Sequence, residues 1–356
     1  MTQGAVEPRA STPPATARSR TALLPSARGR VLGLCAALVA LLACAVGSLA
    51  IGSLGIPIGE VLAAFTAFDD SDAHVIVTEL RLPRTLIGLV VGGALGAAGA
   101  LMQGVTRNPL AEPGILGINA GASFAVVLAI FVLGVSSVAL YAWFALLGAG
   151  LAALMLYALA GAGRGGATPI KLALSGAVLN ALLVALTSAV LTFDTETLEQ
   201  FRFWIVGSIA GRDTGVLLSV APFLGAGLII ALLAGRRLNA LALGEDVARS
   251  LGQSVGRTRA ASGAGFVLLA GGAVAAAGPI SFVGLTVPHV ARALVGPDYR
   301  WIVPYSIVLG AILLLISDVL GRVAAPPGEL QVGIVTAILG APFFIWLVRR
   351  RRLASL

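Results

Sequence analysis

Charge is what this sequence has least of. Of its 356 residues, 11% are Asp, Glu, Lys or Arg, against roughly 25% in a soluble domain. So little charge cannot solvate an ordinary globular surface. With 58% hydrophobic residues and a mean hydropathy of +0.98, the chain reads as a polytopic membrane protein. Lysine is almost missing. Lys171 is the single one and does not sit in a G-x-x-x-x-G-K-[ST] loop, so the chain has no P-loop to cradle ATP phosphates. The two cysteines, Cys35 and Cys44, share one apolar run, which excludes a disulfide framework and a zinc signature. His74 and His289 lie far apart without metal-ligand spacing, so no metal site is expected. No Ser/His/Asp or dicarboxylate constellation converges on one depth, so no catalytic residues are expected. Glu112 and Asp318 are the carboxylates near apolar runs, both close to run ends. That argues against an ion-coupled secondary transporter, which places ionisable groups mid-membrane.

Greasy runs are what the chain has instead. They fall near 30–54, 82–105, 113–134, 138–161, 169–192, 215–234, 258–277, 279–294, 301–320 and 332–348. At about 20 residues per crossing this predicts about ten transmembrane helices, with 279–294 nearly untilted or partly re-entrant. Residues 1–29, rich in Pro, Ser, Thr, Ala and Arg, read as a disordered tail; 30–350 form the membrane domain, and 351–356 a short C-terminal tail. Leu41-Leu42-Ala43-Cys44 faintly resembles a lipoprotein cleavage box, but the run continues past Cys44 to spanning length. The net charge of +8 builds no basic face for nucleic acid, since the charges fall between apolar runs. With both termini in the cytoplasm, 19 basic residues fall inside. Five fall outside: Arg81, Arg84, Arg202, Arg212 and Arg322. The positive-inside rule favours that orientation.

Within this layout a few stretches stand out. Gly88, Gly92, Gly96, Ala100 and Gly104 recur every four residues, a small-residue seam for close helix packing. The seam's helix ends on Gln103, Arg107, Asn108 and Pro109. Pro109 disfavours helix at Asn108, and Asn108 has a side chain that satisfies freed backbone groups locally. This elbow reads either as a tight turn outside the membrane or as irregular backbone buried in protein or lining a cavity. The segment 239–252, NALALGEDVARSLG, is too short and polar to span. Leu241, Leu243, Val247 and Leu251 alternate with a charged rim of Asn239, Glu245, Asp246 and Arg249, broken by Gly244 and stopped by Gly252. Arg81 and Arg84 at one mouth, with Arg322 across from them, read either as anchors paired with Glu79 and Asp318 or as docking cations for a partner's carboxylates. The run 169–192 carries Ser175, Asn180, Thr187 and Ser188; Asn180 near mid-bilayer needs a helix-to-helix hydrogen bond or a watery path. His289 after Pro288 reads as a hydrogen-bonded structural residue.

Five blocks together resemble one family. RLPRTL (81–86), MQGVTRNPLAEPGILGINAGA (102–122), LALGEDVARSLG (241–252), GPISFVGLTVPHVAR (278–292) and GELQVGIVTAILGAPFFIWL (328–347) look like the FecCD-type permeases of ABC importers, which handle iron-siderophore, haem and cobalamin cargo. The resemblance implies an all-α type II importer bundle of about ten helices in the bacterial inner membrane. It implies a permease dimer, homomeric or heteromeric, with the path on its axis. Two ATPase subunits would use ATP and Mg, and an extracytoplasmic binding protein would deliver an iron chelate. No cofactor is expected on this chain. The resemblance also implies that 239–252 are coupling helices seated on the ATPase. Arg81, Arg84 and Arg322 would meet glutamates of the binding protein, and the inner gate would lie at Thr168 and Pro169.

Overall fold

A computed structural model describes residues 22–112, 114, 117–135, 137–162, 168–325 and 328–350, and every regular element among them is helical. The first helix is α1 (Ala27–Ala50), followed by two short ones, α2 (Ile58–Thr66) and α3 (Asp72–Val75). A π-helical turn, Ile76–Arg81, feeds α4 (Leu82–Thr106). Then come α5 (Ile118–Leu133), α6 (Val138–Gly161), α7 (Pro169–Phe193), α8 (Thr195–Ile205), α9 (Thr214–Ala242) and α10 (Glu245–Ser250). The last four are α11 (Val255–Ala277), α12 (Val283–Val295), α13 (Tyr299–Ala324) and α14 (Val332–Arg350). Each of the ten apolar runs contains one helix. Seven helical stretches are long and apolar enough to cross a membrane, while α5, α12 and the apolar part of α14 are shorter.

Side chains at the helix starts explain several boundaries. Ser26 Oγ accepts from Gly29 N, Asp213 Oδ1 from Val216 N and Asp194 from Thr197 N. Each takes up a backbone N–H that the first helical turn leaves unpaired. Ser26 also marks a boundary that differs from expectation. Residues 22–29 are ordered, because Leu23 N and Leu24 N donate to Ala293 O and Leu294 O at the end of α12. Residues 1–21 and 351–356 lie outside the described residues.

The centre of the bundle is α4, and its glycine seam packs on α13. A Cβ at Gly92 would stand 2.5 Å from Gly310 O, and one at Gly96 2.0 Å from Ser306 O. Hydrocarbon surroundings supply no hydrophobic drive between helices, so close backbone packing replaces it. A third small-residue contact, Gly99 against Gly284, brings α12 onto α4. Pro288 inside α12 has no N–H, so the carbonyl four residues back loses its helical donor. Buried Gln103 supplies the replacement: its Nε2 donates to Gly284 O at 3.3 Å and to Leu285 O at 3.2 Å. Its Oε1 accepts from Arg292, whose Nη1 lies 3.4 Å from His289 Nδ1. The elbow glutamine and His289 therefore belong to the helix-packing core.

The elbow itself is a long break. α4 ends at Arg107 in a left-handed conformation (φ 50°), and Leu110 N donates to Asn108 Oδ1 at 2.9 Å. The next α-helix starts at Ile118, five residues after the predicted start of that run. Gly121 of α5 lies against Gly148 of α6; from that contact α6 continues to Gly161, whereas α5 reaches back only to Ile118. At 1.5 Å per residue, α5 starts about 15 Å short of the end of α6. Among the described residues between the two helices, Ala111 and Gly117 are buried. Gly117 (φ 79°) packs against Gly176 and Asn180 of α7. Residues 107–111 make a turn beyond the end of α4, with Asn108 exposed and Ala111 buried.

Candidate functional site

The bundle presents two polar ends. One holds Arg30, Asp298 and the described start and end of the chain; the other holds Ser48 and Arg322. The second is the far end.

At the far end, three arginines gather around the end of α1. Arg81 donates to Leu49 O at 2.8 Å, to Ala50 O at 2.9 Å and to Leu54 O. Arg322 donates to Ser48 O at 2.9 Å and to Ser48 Oγ at 2.8 Å. The last carbonyls of a helix have no intrahelical donor and carry the negative end of its dipole, so guanidinium groups fit there. Asp318, 1% exposed, lies between Arg322 at 3.1 Å and Arg84 at 2.8 Å; Arg84 reaches on to Glu329 at 2.7 Å. Arg81 and Arg322 are 6% and 3% exposed, and carbonyls at the end of α1 accept from both. Pairing with Asp318 is observed for Arg84 and Arg322. Glu79 points instead to a cavity of about 510 Å³, which is also lined by Arg84, Arg212, Asp213 and Glu329. The sequence marks Arg212 only as an outside charge. Burial pulls its pKa down, with Tyr141 opposing, and its Nε makes a long 3.5 Å bond to Ser208 O.

At the other end, the segment 239–252 divides into inward and outward residues. α9 continues as far as Ala242, so Asn239 and Leu241 sit on its last turns rather than on a separate helix. Asn239 does not form a rim. Its Nδ2 donates to Asp298 Oδ1 at 2.6 Å, and Tyr299 N donates to its Oδ1 at 2.8 Å, so it braces α9 against the start of α13. Leu241 is fully buried with Ala248 and Val255. Leu243, Val247 and Leu251 are exposed, at 66%, 43% and 63%. Gly244 (φ 112°) and Gly252 (φ 80°) make the two reversals around α10 in a region where L residues are strained. Asp246 is solvated, whereas Glu245 turns toward the bundle.

The polar residues of α7 do not gather on one open face. Thr168 Oγ1 accepts from Lys171 N, and Pro169 opens the helix, so both are helix-start residues. Thr187 is buried and donates to Leu183 O at 2.8 Å. Ser175 and Asn180 are half-buried, and Ser188 is exposed. A stripe of Ile170, Leu174, Val178, Leu182 and Leu186 is exposed along the helix.

With these arrangements in view, comparisons with known proteins are direct. The profile of the FecCD transport family matches residues 40–350. The chain is 46% identical over 310 residues to the probable siderophore transport system permease protein YfiZ of Bacillus subtilis (strain 168), covering 87% of this chain and 93% of that one. It is 47% identical over 305 residues to the ferric enterobactin transport system permease protein FepD of Escherichia coli (strain K12), covering 85% and 91%. A solved structure of an inward-facing metal-chelate type ABC transporter superposes with a TM-score of 0.79 at 30% identity. It covers 90% of this chain and all of the other.

Proposed function

The chain belongs to the FecCD transport family, and from that premise we propose that it is the membrane permease subunit of an ABC importer that carries a ferric siderophore into the cytoplasm. The observation that carries the reading is the family match across nearly the whole helical bundle. The names of the relatives, siderophore and ferric enterobactin permeases, support the cargo.

The two polar ends divide the work. The end with α10 faces the cytoplasm, in keeping with the 19-to-5 arginine and lysine split. There Leu243, Val247 and Leu251 offer an apolar contact to a separate ATPase, which supplies the ATP and Mg chemistry; this chain performs no hydrolysis. The far end faces the binding protein. Its cavity offers Arg212 to acidic side chains, while Arg81, Arg84 and Arg322 hold the wall behind it. A second permease copy covers the exposed stripe of α7, and the cargo moves between the two.

Uptake by the reconstituted importer in vesicles tests the reading. Ferric enterobactin, haem and cobalamin would be compared as cargo with ATP inside and the binding protein outside. ATP-dependent accumulation of the ferric siderophore alone is the expected result. Accumulation driven by an ion gradient without ATP would overturn the importer class, and preference for haem or cobalamin would overturn the cargo.

A further inference from the structure

Glu245 opens α10, yet its carboxylate is turned away from the surface that α10 presents. It faces three arginines from three elements. Its Oε1 accepts from Arg259 Nη2 of α11 at 2.5 Å and lies 3.7 Å from Arg107 Nη2 at the end of α4. Its Oε2 accepts from Arg249 Nη2 within α10 at 3.2 Å. The Arg259 side chain is 12% exposed and that of Glu245 26%, whereas the neighbouring Asp246 is 98% exposed. Apart from this carboxylate, α10 rests on a small apolar core of Leu241, Ala248 and Val255. A cleft of about 460 Å³ lies beside it, lined by Arg107, Gly244, Glu245 and Arg249 among others.

That arrangement has a mechanical meaning. Three small apolar contacts are non-directional and let a six-residue helix rock. Charge-assisted bonds to guanidinium groups are directional and roughly twice as strong as neutral ones. Arg107 is the residue at which α4 ends and the elbow begins. A displacement of α10 therefore has two short polar routes into the bundle: through Arg107 to the end of α4, and through Arg259 to the foot of α11.

We infer that Glu245 is a positioning residue for energy coupling, tying α10 to the end of α4 and to α11, and is not itself a contact to the ATPase. The inference rests on the proposed reading that α10 receives the ATPase. Transmission through a packed element needs two arrangements that both ends bias, so the test measures motion and docking separately.

The experiment uses the full importer complex in vesicles. Cys35 and Cys44 are replaced by serine. Spin labels are placed at Leu38 of α1 and Val184 of α7, both exposed and the second off the stripe that the other permease copy covers. Their separation is measured without nucleotide and with ATP plus vanadate, alongside ATPase capture by the permease. In the wild type the distance distribution shifts on ATP trapping. E245Q keeps capture within about twofold but loses the shift, because its amide no longer attracts three guanidinium groups. The charge exchange E245R with R259E restores at least half of the shift, while E245R alone does not. Loss of capture by E245Q in proportion to its loss of shift would make Glu245 an ATPase contact and overturn the inference. A wild-type shift retained in E245Q would overturn it too. The underlying reading fails differently: capture would then be unaffected by L243S with V247S and L251S, or the wild type would show no shift.

Discussion

Asp318 and Asp298 show how differently one carboxylate acts in two settings. Asp318 is sealed between Arg84 and Arg322. Removing Arg322 leaves Asp318 with Arg84 alone and strips the buried Ser48 carbonyl of its charged donor; hydrogen bonds to charged groups are worth about 1.5–3 kcal/mol each. Arg322→Ala is therefore expected to lower the thermal midpoint of the purified chain sharply, and Arg212→Ala to leave it unchanged while weakening capture of the binding protein. Equal midpoints for the two variants in a detergent melt would contradict this. Asp298 lies in the turn before α13. Burial pushes its pKa up, but bonds from Arg300 and Asn239 outweigh it and bring it from 3.8 to about 2. A depressed folded-state value stabilises the fold above the unfolded pKa, and that share is lost as pH falls through the folded one. The thermal midpoint is expected to fall between about pH 4 and pH 2, and Asp298→Asn to flatten that part of the curve. An unchanged acid limb in the variant would refute the assignment.

The helices are where small residues acquire their meaning. Gly96 and Gly150 are both helical glycines, yet a Cβ at Gly96 would meet Ser306 O at 2.0 Å, and one at Gly150 meets nothing within 4 Å. Overpacking a tight contact costs about 1–3 kcal/mol and more where backbone must move. Gly96→Leu should abolish a monodisperse peak in gel filtration, and Gly150→Leu should preserve it. A normal profile for Gly96→Leu would show that α4 and α13 have room to separate. The four-residue spacing in the sequence already marked this seam. It could not distinguish Gly99, off that register, which carries the contact to α12. The elbow was legible only in part: Asn108 and Pro109 announced a break, but the sequence did not show that Gly117 packs against α7.

The orientation of the whole bundle rests on charge distribution and is open to direct test. In a variant with Cys35 and Cys44 replaced by serine, cysteines at Asp70 and Glu196 should react with an impermeant maleimide in intact spheroplasts. One at Arg257 should react only after lysis. All three positions are exposed, so accessibility reports sidedness rather than burial. Reversed labelling would invert the cytoplasmic and external assignments and with them both docking proposals.

Composition and run length were enough to establish a helical membrane protein with ten apolar segments, because the bilayer demands internally paired backbone and about 20 apolar residues per crossing. The motif blocks were enough to place it in its family. Side-chain direction was decided by tertiary structure alone. Asn239 and Glu245 look like a solvated rim in sequence, yet one braces Asp298 and the other faces Arg107 and Arg259. Arg81 and Arg322 look like open cations, yet they hold the carbonyl end of α1. A polar residue goes wherever the nearest unpaired partner lies, and those partners come from segments as distant in sequence as Ser48 and Arg322, which only the folded chain brings together.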